Sequence, residues 1–236
     1  MFKNVVEKYI PKNARMVVYQ PGHRGMACIR ILSSHKEAFY NKFMCYRSVE
    51  DPLGFSNSLD NDFDNNNYES YDKVDLRLFF ASDASVIGKI VIVGQYKYIL
   101  KAAKMAKEKL FFISTHMQYS YDIPYVYVFI SNPEWIKERI DQEVKYNTCW
   151  VDHFTDFSNF HKIHLSNPDC FCIDAYKLLS LDNQLFEEEY ARIIDHFNFT
   201  SNRERVRQFV LTYRNREKQL REWQRTNSFP VPSQLK

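Results

Sequence analysis

Two glycines bracket a histidine and an arginine in Gly22-His23-Arg24-Gly25, directly after the apolar run Met16 to Gln20 and Pro21. A glycine-containing turn from a strand into a helix presents backbone N–H groups and the positive helix end to whatever lies there, and phosphate or sulfate is its natural occupant. His23 and Arg24 add side-chain donors at the same place. A second group able to do chemistry is His116, at the end of the apolar run "LFFIST". An imidazole that titrates near neutrality suits a general base. Glycine also serves ordinary tight turns, and the G-x-x-x-x-G-K-[ST] spacing is absent. Taken alone, the loop leaves an anion cradle and a plain turn both open.

The elements around these residues set where they stand. Met16 to Gln20 reads as a buried strand and Gly25 to about Ser34 as a helix with Met26, Ile29, Ile31 and Leu32 toward an apolar side. "VDLRLFF" and "KIVIVG" look like further strands, the second alternatively a short connector, and "YKYILKAAKMAKEK", Tyr96 to Lys109, is a helix by composition. Strands are expected at Leu110–Thr115 and at "YVYVFI", Tyr125–Ile130, before Asn132-Pro133 opens the helix "EWIKERIDQEVKY". "FCIDAYKLL" is a strand running into a turn or helix start. Helices over roughly 183–197 and 202–224 close the chain, with Ser201 and Glu204 spaced as a capping box. Strand alternating with helix, with short apolar strands, predicts an α/β fold: a mostly parallel central sheet of about five strands with helices on both faces. Ligands of such sheets sit beyond the carboxyl ends of the strands, which draws 21–25, 114–116 and 131–133 together.

Composition bounds the rest. The 236 residues, 45% hydrophobic and 16% aromatic, suffice for one domain over 1–225, followed by a tail over 226–236. Residues 51–72, rich in Asp, Asn and Ser, read as a long surface loop. No apolar stretch is long enough for a membrane span, and the N-terminus lacks the apolar core of a secretory signal. Five scattered cysteines then suggest free thiols in a reducing, cytoplasmic setting. A net charge of +3 is too small to imply a nucleic-acid partner.

The order of a glycine loop after the first strand, Ser114-Thr115-His116 at a middle strand and Ser131-Asn132-Pro133 before a helix resembles the P-loop sulfotransferase family. The resemblance spans about residues 14–215 and implies a three-layer P-loop-type fold. It further implies transfer of a sulfuryl group from 3′-phosphoadenosine 5′-phosphosulfate (PAPS) to the hydroxyl or amine of a small-molecule or glycan acceptor. On that resemblance His116 is the base and Gly22, His23, Arg24, Gly25, Met26 and Ala27 surround the phosphosulfate. Ser131 and Arg139 fall at the 3′-phosphate segment. The sequence departs from the family's pattern at several of these positions. His23 or Arg24 stands for the loop lysine, Met26 for a threonine, Ser114 for the lysine of Lys-Thr-His, Ser131 for an arginine and Arg139 for a serine. Arg24 is the cation that could replace the lysine opposite the leaving group. These departures motivate a second expectation: a degenerate relative acting as a structural or interaction component that self-associates or joins a larger assembly such as a viral particle. A nucleotide-binding protein of another kind ranks third, since no acidic magnesium ligand is evident beside a strand.

Other signals carry less. His161 and His164 in "FHKIHL" have ligand-like spacing, but the alternation reads as a strand that would split them, and Cys170-Phe171-Cys172 lacks a second pair, so no metal is expected. The last helix is basic yet bears an apolar stripe of Val206, Phe209, Val210 and Tyr213, so it reads as docked rather than as a nucleic-acid face. Trp135, Tyr119, Tyr121 and Tyr125 suit packing somewhat better than an acceptor or adenine pocket, and His35 reads as a helix C-terminal residue.

Overall fold

The computed structural model describes residues 11–20, 23–39, 77–78, 103–115, 124–137 and 157–226. Four parallel strands form its centre: β1 (Ala14–Tyr19), β3 (Phe111–Thr115), β4 (Tyr125–Phe129) and β5 (Cys170–Asp174). A two-residue segment, β2 (Arg77–Leu78), pairs parallel with the outer side of β3, giving the order β2-β3-β1-β4-β5. Of the strands expected at "VDLRLFF" and "KIVIVG", only Arg77–Leu78 falls among the described residues, so four strands are full length. The helices are α1 (Gly25–Ser33), α2 (Phe157–Leu165), α3 (Ala175–Leu178), α4 (Asn183–Phe197) and α5 (Arg203–Thr226). Residues 103–106 and 133–137 are also helical, within the helices expected at 96–109 and after Pro133.

Continuous apolar runs fill the middle of the central strands because both sheet faces are covered. Met16, Val17 and Val18 are all 0% exposed although successive side chains point to opposite faces. On one face α2 lays His164 against the ring of Tyr127 (centroids 4.4 Å apart) and against Tyr125. On the other, His196 and Phe197 of α4 pack on Phe171 of β5, and Phe197 meets Phe112 of β3 edge-on. α1 is buried nearly all round and packs on β3, β1, β4 and α3, the burial expected of an internal helix.

The "FHKIHL" segment lies in α2, not in a strand, so its local alternation was misleading. Helical spacing of three residues keeps His161 and His164 on one side, where both meet the ring of Tyr127. Among the described residues no group of three metal-ligating side chains forms. The capping box also gives way. α5 starts at Arg203, so Asn202 precedes it, and the Glu204 carboxylate takes the Arg203 guanidinium instead. Asn202 fastens three elements: its Nδ2 donates to the Ser34 carbonyl (3.0 Å) and Oγ (3.1 Å), and its Oδ1 accepts from the Tyr190 hydroxyl (2.9 Å). The expected docking stripe of α5 is real. Val206, Phe209, Val210 and Tyr213 are all buried. His35 closes the same corner, stacked on Phe199 at 4.5 Å with Nδ1 toward the Leu32 carbonyl at 3.3 Å.

Candidate functional site

In the order β3-β1-β4, the chain leaves β1 toward the β2–β3 side and later builds β4 and β5 on the opposite side. Such a reversal opens a crevice at the carboxyl ends of β1 and β4, where ligands of open parallel sheets bind. Strand register levels the neighbouring ends: Val18 pairs with Thr115, Tyr19 with Val128, and Phe129 with Asp174. The β1–α1 turn and the Ser131–Pro133 turn therefore stand side by side at the carboxyl end of the sheet.

Arg24 stands at the entrance to α1 in the left-handed conformation (φ 62°, ψ 20°). The first helical bond runs from the Cys28 N–H to the Arg24 carbonyl at 3.2 Å, so the amides of Gly25, Met26 and Ala27 precede the intrahelical ladder. No acidic residue occupies the first turn of α1 and no side chain caps it. The macrodipole there is unopposed within the helix itself. The Arg24 guanidinium lies 5.6 Å from the centre of the Trp135 ring, and Arg214 of α5 lies 4.7 Å from it. Glu217 of α5 joins the two cations, contacting Arg24 Nη2 through Oε1 and accepting from Arg214 Nη1 through Oε2 at 2.9 Å. Trp135 itself is 7% exposed, is held by its backbone N–H donating to Asn132 Oδ1 at 3.0 Å, and its indole Nε1 is buried with no hydrogen-bond partner among the described residues.

Two loop residues differ from what the loop reading expected of them. His23 is buried beside the Val128 backbone, and burial pushes its pKa down to about 4. It is therefore a neutral imidazole within the wall of the crevice, not a cation for an anion. Gly25 is glycine for a packing reason: a Cβ there would sit 2.1 Å from Cγ and Cδ1 of the Tyr19 ring. Met26 is half-buried and Ala27 buried. Ser131 is exposed, and its backbone N–H, not its hydroxyl, is engaged, donating to Asp174 Oδ1 at 3.1 Å. Gly22, His116 and Arg139 lie outside the described residues.

Sequence reasoning passed over the acidic edge of the same end of the sheet. Asp174 closes β5, caps α3 by accepting from the Tyr176 N–H at 3.0 Å, and its own N–H donates to Glu189 Oε1 at 2.9 Å. Glu189 is 1% exposed, and burial raises its pKa while Arg192, donating to Oε2 at 2.6 Å, opposes that rise. A cavity of about 550 Å³ opens here between Phe129, Asp174, Lys177, Glu188, Glu189 and Arg192. An acid ending the apolar "FCID" was the available sign, since polar residues at carboxyl strand ends face the ligand edge.

Two guanidiniums, Arg24 at the entrance to α1 and Arg214 of α5, hold one carboxylate, that of Glu217, between them. Among the described residues no helix is long and apolar enough to cross a membrane. No family model, no curated protein and no solved structure matches this chain.

Proposed function

We propose that the chain is a divergent sulfotransferase of the three-layer P-loop type, its sheet completed to about five strands by the β2 region. It moves the sulfuryl group of PAPS to the hydroxyl or amine of a small-molecule or glycan acceptor. The observation that carries this reading is Arg24 at the N-terminus of α1, at the switch point and flanked by Trp135 and Arg214. A sulfuryl donor needs positive charge on the oxygens of the leaving phosphate, which Arg24 and the first amides of α1 supply. The acceptor oxygen or nitrogen forms the new bond to sulfur as the sulfur–phosphate oxygen bond breaks. His116, directly after Thr115 of β3, takes the acceptor's proton. The buried indole N–H of Trp135 offers a further donor to a ligand oxygen, and Ser131 and Arg139 are the residues for the 3′-phosphate. His23 shapes the wall and carries no charge in this scheme.

A second reading rests on Glu217 and Tyr19. A carboxylate on Arg24 and a ring over Gly25 fill the cradle with the protein's own groups, as expected of a degenerate relative kept for assembly. Titration with the desulfated nucleotide, followed by tryptophan fluorescence and calorimetry, separates the two. The enzyme reading expects saturable binding, its loss in Arg24→Ala, and about tenfold tighter binding in Glu217→Gln, since the variant removes a competing anion worth about 1.4 kcal/mol. Absence of binding in both wild type and Glu217→Gln rejects it. A defined oligomer in light scattering then supports the assembly reading.

A further inference from the structure

Away from the crevice, β5 carries two cysteines on one face. Cys170 and Cys172 are alternate residues of the strand, so their side chains point the same way, and their Sγ atoms lie 3.7 Å apart. Both are free and half-buried. Their surroundings are unlike an inert apolar core. Cys172 Sγ faces the His164 carbonyl at 3.9 Å, and Arg192 donates to the Cys172 carbonyl at 3.3 Å. The Tyr125 hydroxyl, joined to His164 Nδ1 at 2.7 Å and Asn167 Nδ2 at 3.3 Å, stands on the Cys170 side.

We infer that Cys170 and Cys172 form a modification site, a dithiol that a peroxide converts reversibly into an intrachain disulfide. Cys172 is the attacking sulfur. The hydrogen bond between the two sulfurs and the charge of Arg192, whose guanidinium donates to the Cys172 carbonyl at 3.3 Å, lower its pKa against the effect of burial, whereas Cys170 is raised. The Cys172 thiolate attacks one peroxide oxygen and the O–O bond breaks; the departing hydroxide takes back the proton Cys172 lost on ionising, leaving a sulfenic acid and one water. Cys170 sulfur then attacks the sulfenic sulfur, the S–S bond forms, and the departing hydroxide takes the Cys170 proton as the second water. Two thiols are oxidised and one peroxide is reduced to two waters.

The backbone allows the bridge. Alternate residues of an extended strand lie about 6.6 Å apart at Cα, near the upper limit for a disulfide. Among the described residues β5 ends the strand order, paired with β4 on one side, so there it can pucker without breaking a second ladder. A bridge that needs such puckering is strained and readily reduced by thiols, which makes the change reversible.

The test uses the whole chain. Folded wild-type protein is exposed to hydrogen peroxide, blocked with N-ethylmaleimide and digested with trypsin, which releases Ile163–Lys177 with these two cysteines alone. The expected product is that peptide lacking two hydrogens and unlabelled, restored by dithiothreitol. It should form about tenfold faster in the folded chain than in urea, where an ordinary thiol is only a few per cent ionised. In the untreated folded protein Cys172 is expected to alkylate before Cys170, and Cys172→Ser to oxidise far more slowly than Cys170→Ser. Two labelled cysteines after peroxide, equal rates folded and unfolded, or Cys170 reacting first would each overturn the inference.

Discussion

Gly25→Ala adds one methyl group at the point where the Tyr19 ring lies 2.1 Å from the new Cβ position. Real carbon–carbon contacts are near 3.5–4.0 Å, so something must move. The atoms met include Cγ, the root of the ring, so rotating the far end of the side chain gives no relief. Tyr19 is 5% exposed and ends the central strand, with β3 and β4 on its flanks. Overpacking of this kind costs roughly 1–3 kcal/mol, and a contact so close to the ring root belongs near the top of that range. Alanine recovers up to about 1 kcal/mol of helix propensity, less in the first turn. The net expectation is a loss of about 2 kcal/mol, or about 4–8 °C in Tm for a chain of this size. Urea unfolding followed by far-UV circular dichroism measures it, provided the transition is two-state. A double-mutant cycle with Tyr19→Leu, which shrinks the ring, should show a coupling above about 0.5 kcal/mol in the rescuing direction. A neutral or stabilised Gly25→Ala would refute the argument. If that variant also lost nucleotide binding, the glycine would be kept for ligand approach and not for Tyr19.

The remaining expectations concern groups whose burial or bonding fixes their response. His23 and His164 are both pushed by burial to a pKa of about 4, below the ordinary value of 6.5. Between those values the unfolded chain binds more protons, so the stability present above pH 6.5 falls toward pH 4, by up to about 1.4 kcal/mol per pH unit for each histidine. Urea midpoints across that window should show a shallower decline in His164→Gln, and an unchanged slope would count against a neutral His164. Asp174→Ala removes the acceptor of two backbone N–H groups and should cost about 1–2 kcal/mol in urea unfolding, while Asp174→Asn, which keeps an oxygen there, should cost less. Equal losses would show that charge, not the hydrogen bonds, matters at that site. Asn202→Ala leaves Ser34 and Tyr190 without a shared partner, with about 2 kcal/mol lost and faster hydrogen exchange at the end of α1. Unaltered exchange there would contradict the link between α5 and α1.

Much of the scaffold was legible in the chain because its signals are local. Continuous apolar runs marked β1, β3 and β4 as strands covered on both faces, and apolar spacing marked α1, α4 and the buried stripe of α5. Their alternation implied a parallel sheet whose carboxyl ends gather the turns near 24 and 131, which pairing bears out for β1 and β4. Where local pattern and packing disagreed, packing prevailed. "FHKIHL" alternates like a strand, yet the two histidines gain aromatic partners on Tyr125 and Tyr127 as a helix.

The sequence by itself determined an α/β chain with a glycine turn and an arginine at a helix entrance. Only tertiary structure decided what meets that arginine. Glu217 belongs to the last helix and Trp135 to the turn after β4, and their approach depends on how α5 docks through Val206, Phe209, Val210 and Tyr213. Burial likewise turned His23 from a candidate cation into a neutral wall residue, and Tyr19 gave Gly25 its packing role. Charge state and steric room are properties of a three-dimensional surrounding, set by desolvation and by neighbours distant along the chain, and no window of consecutive residues contains them.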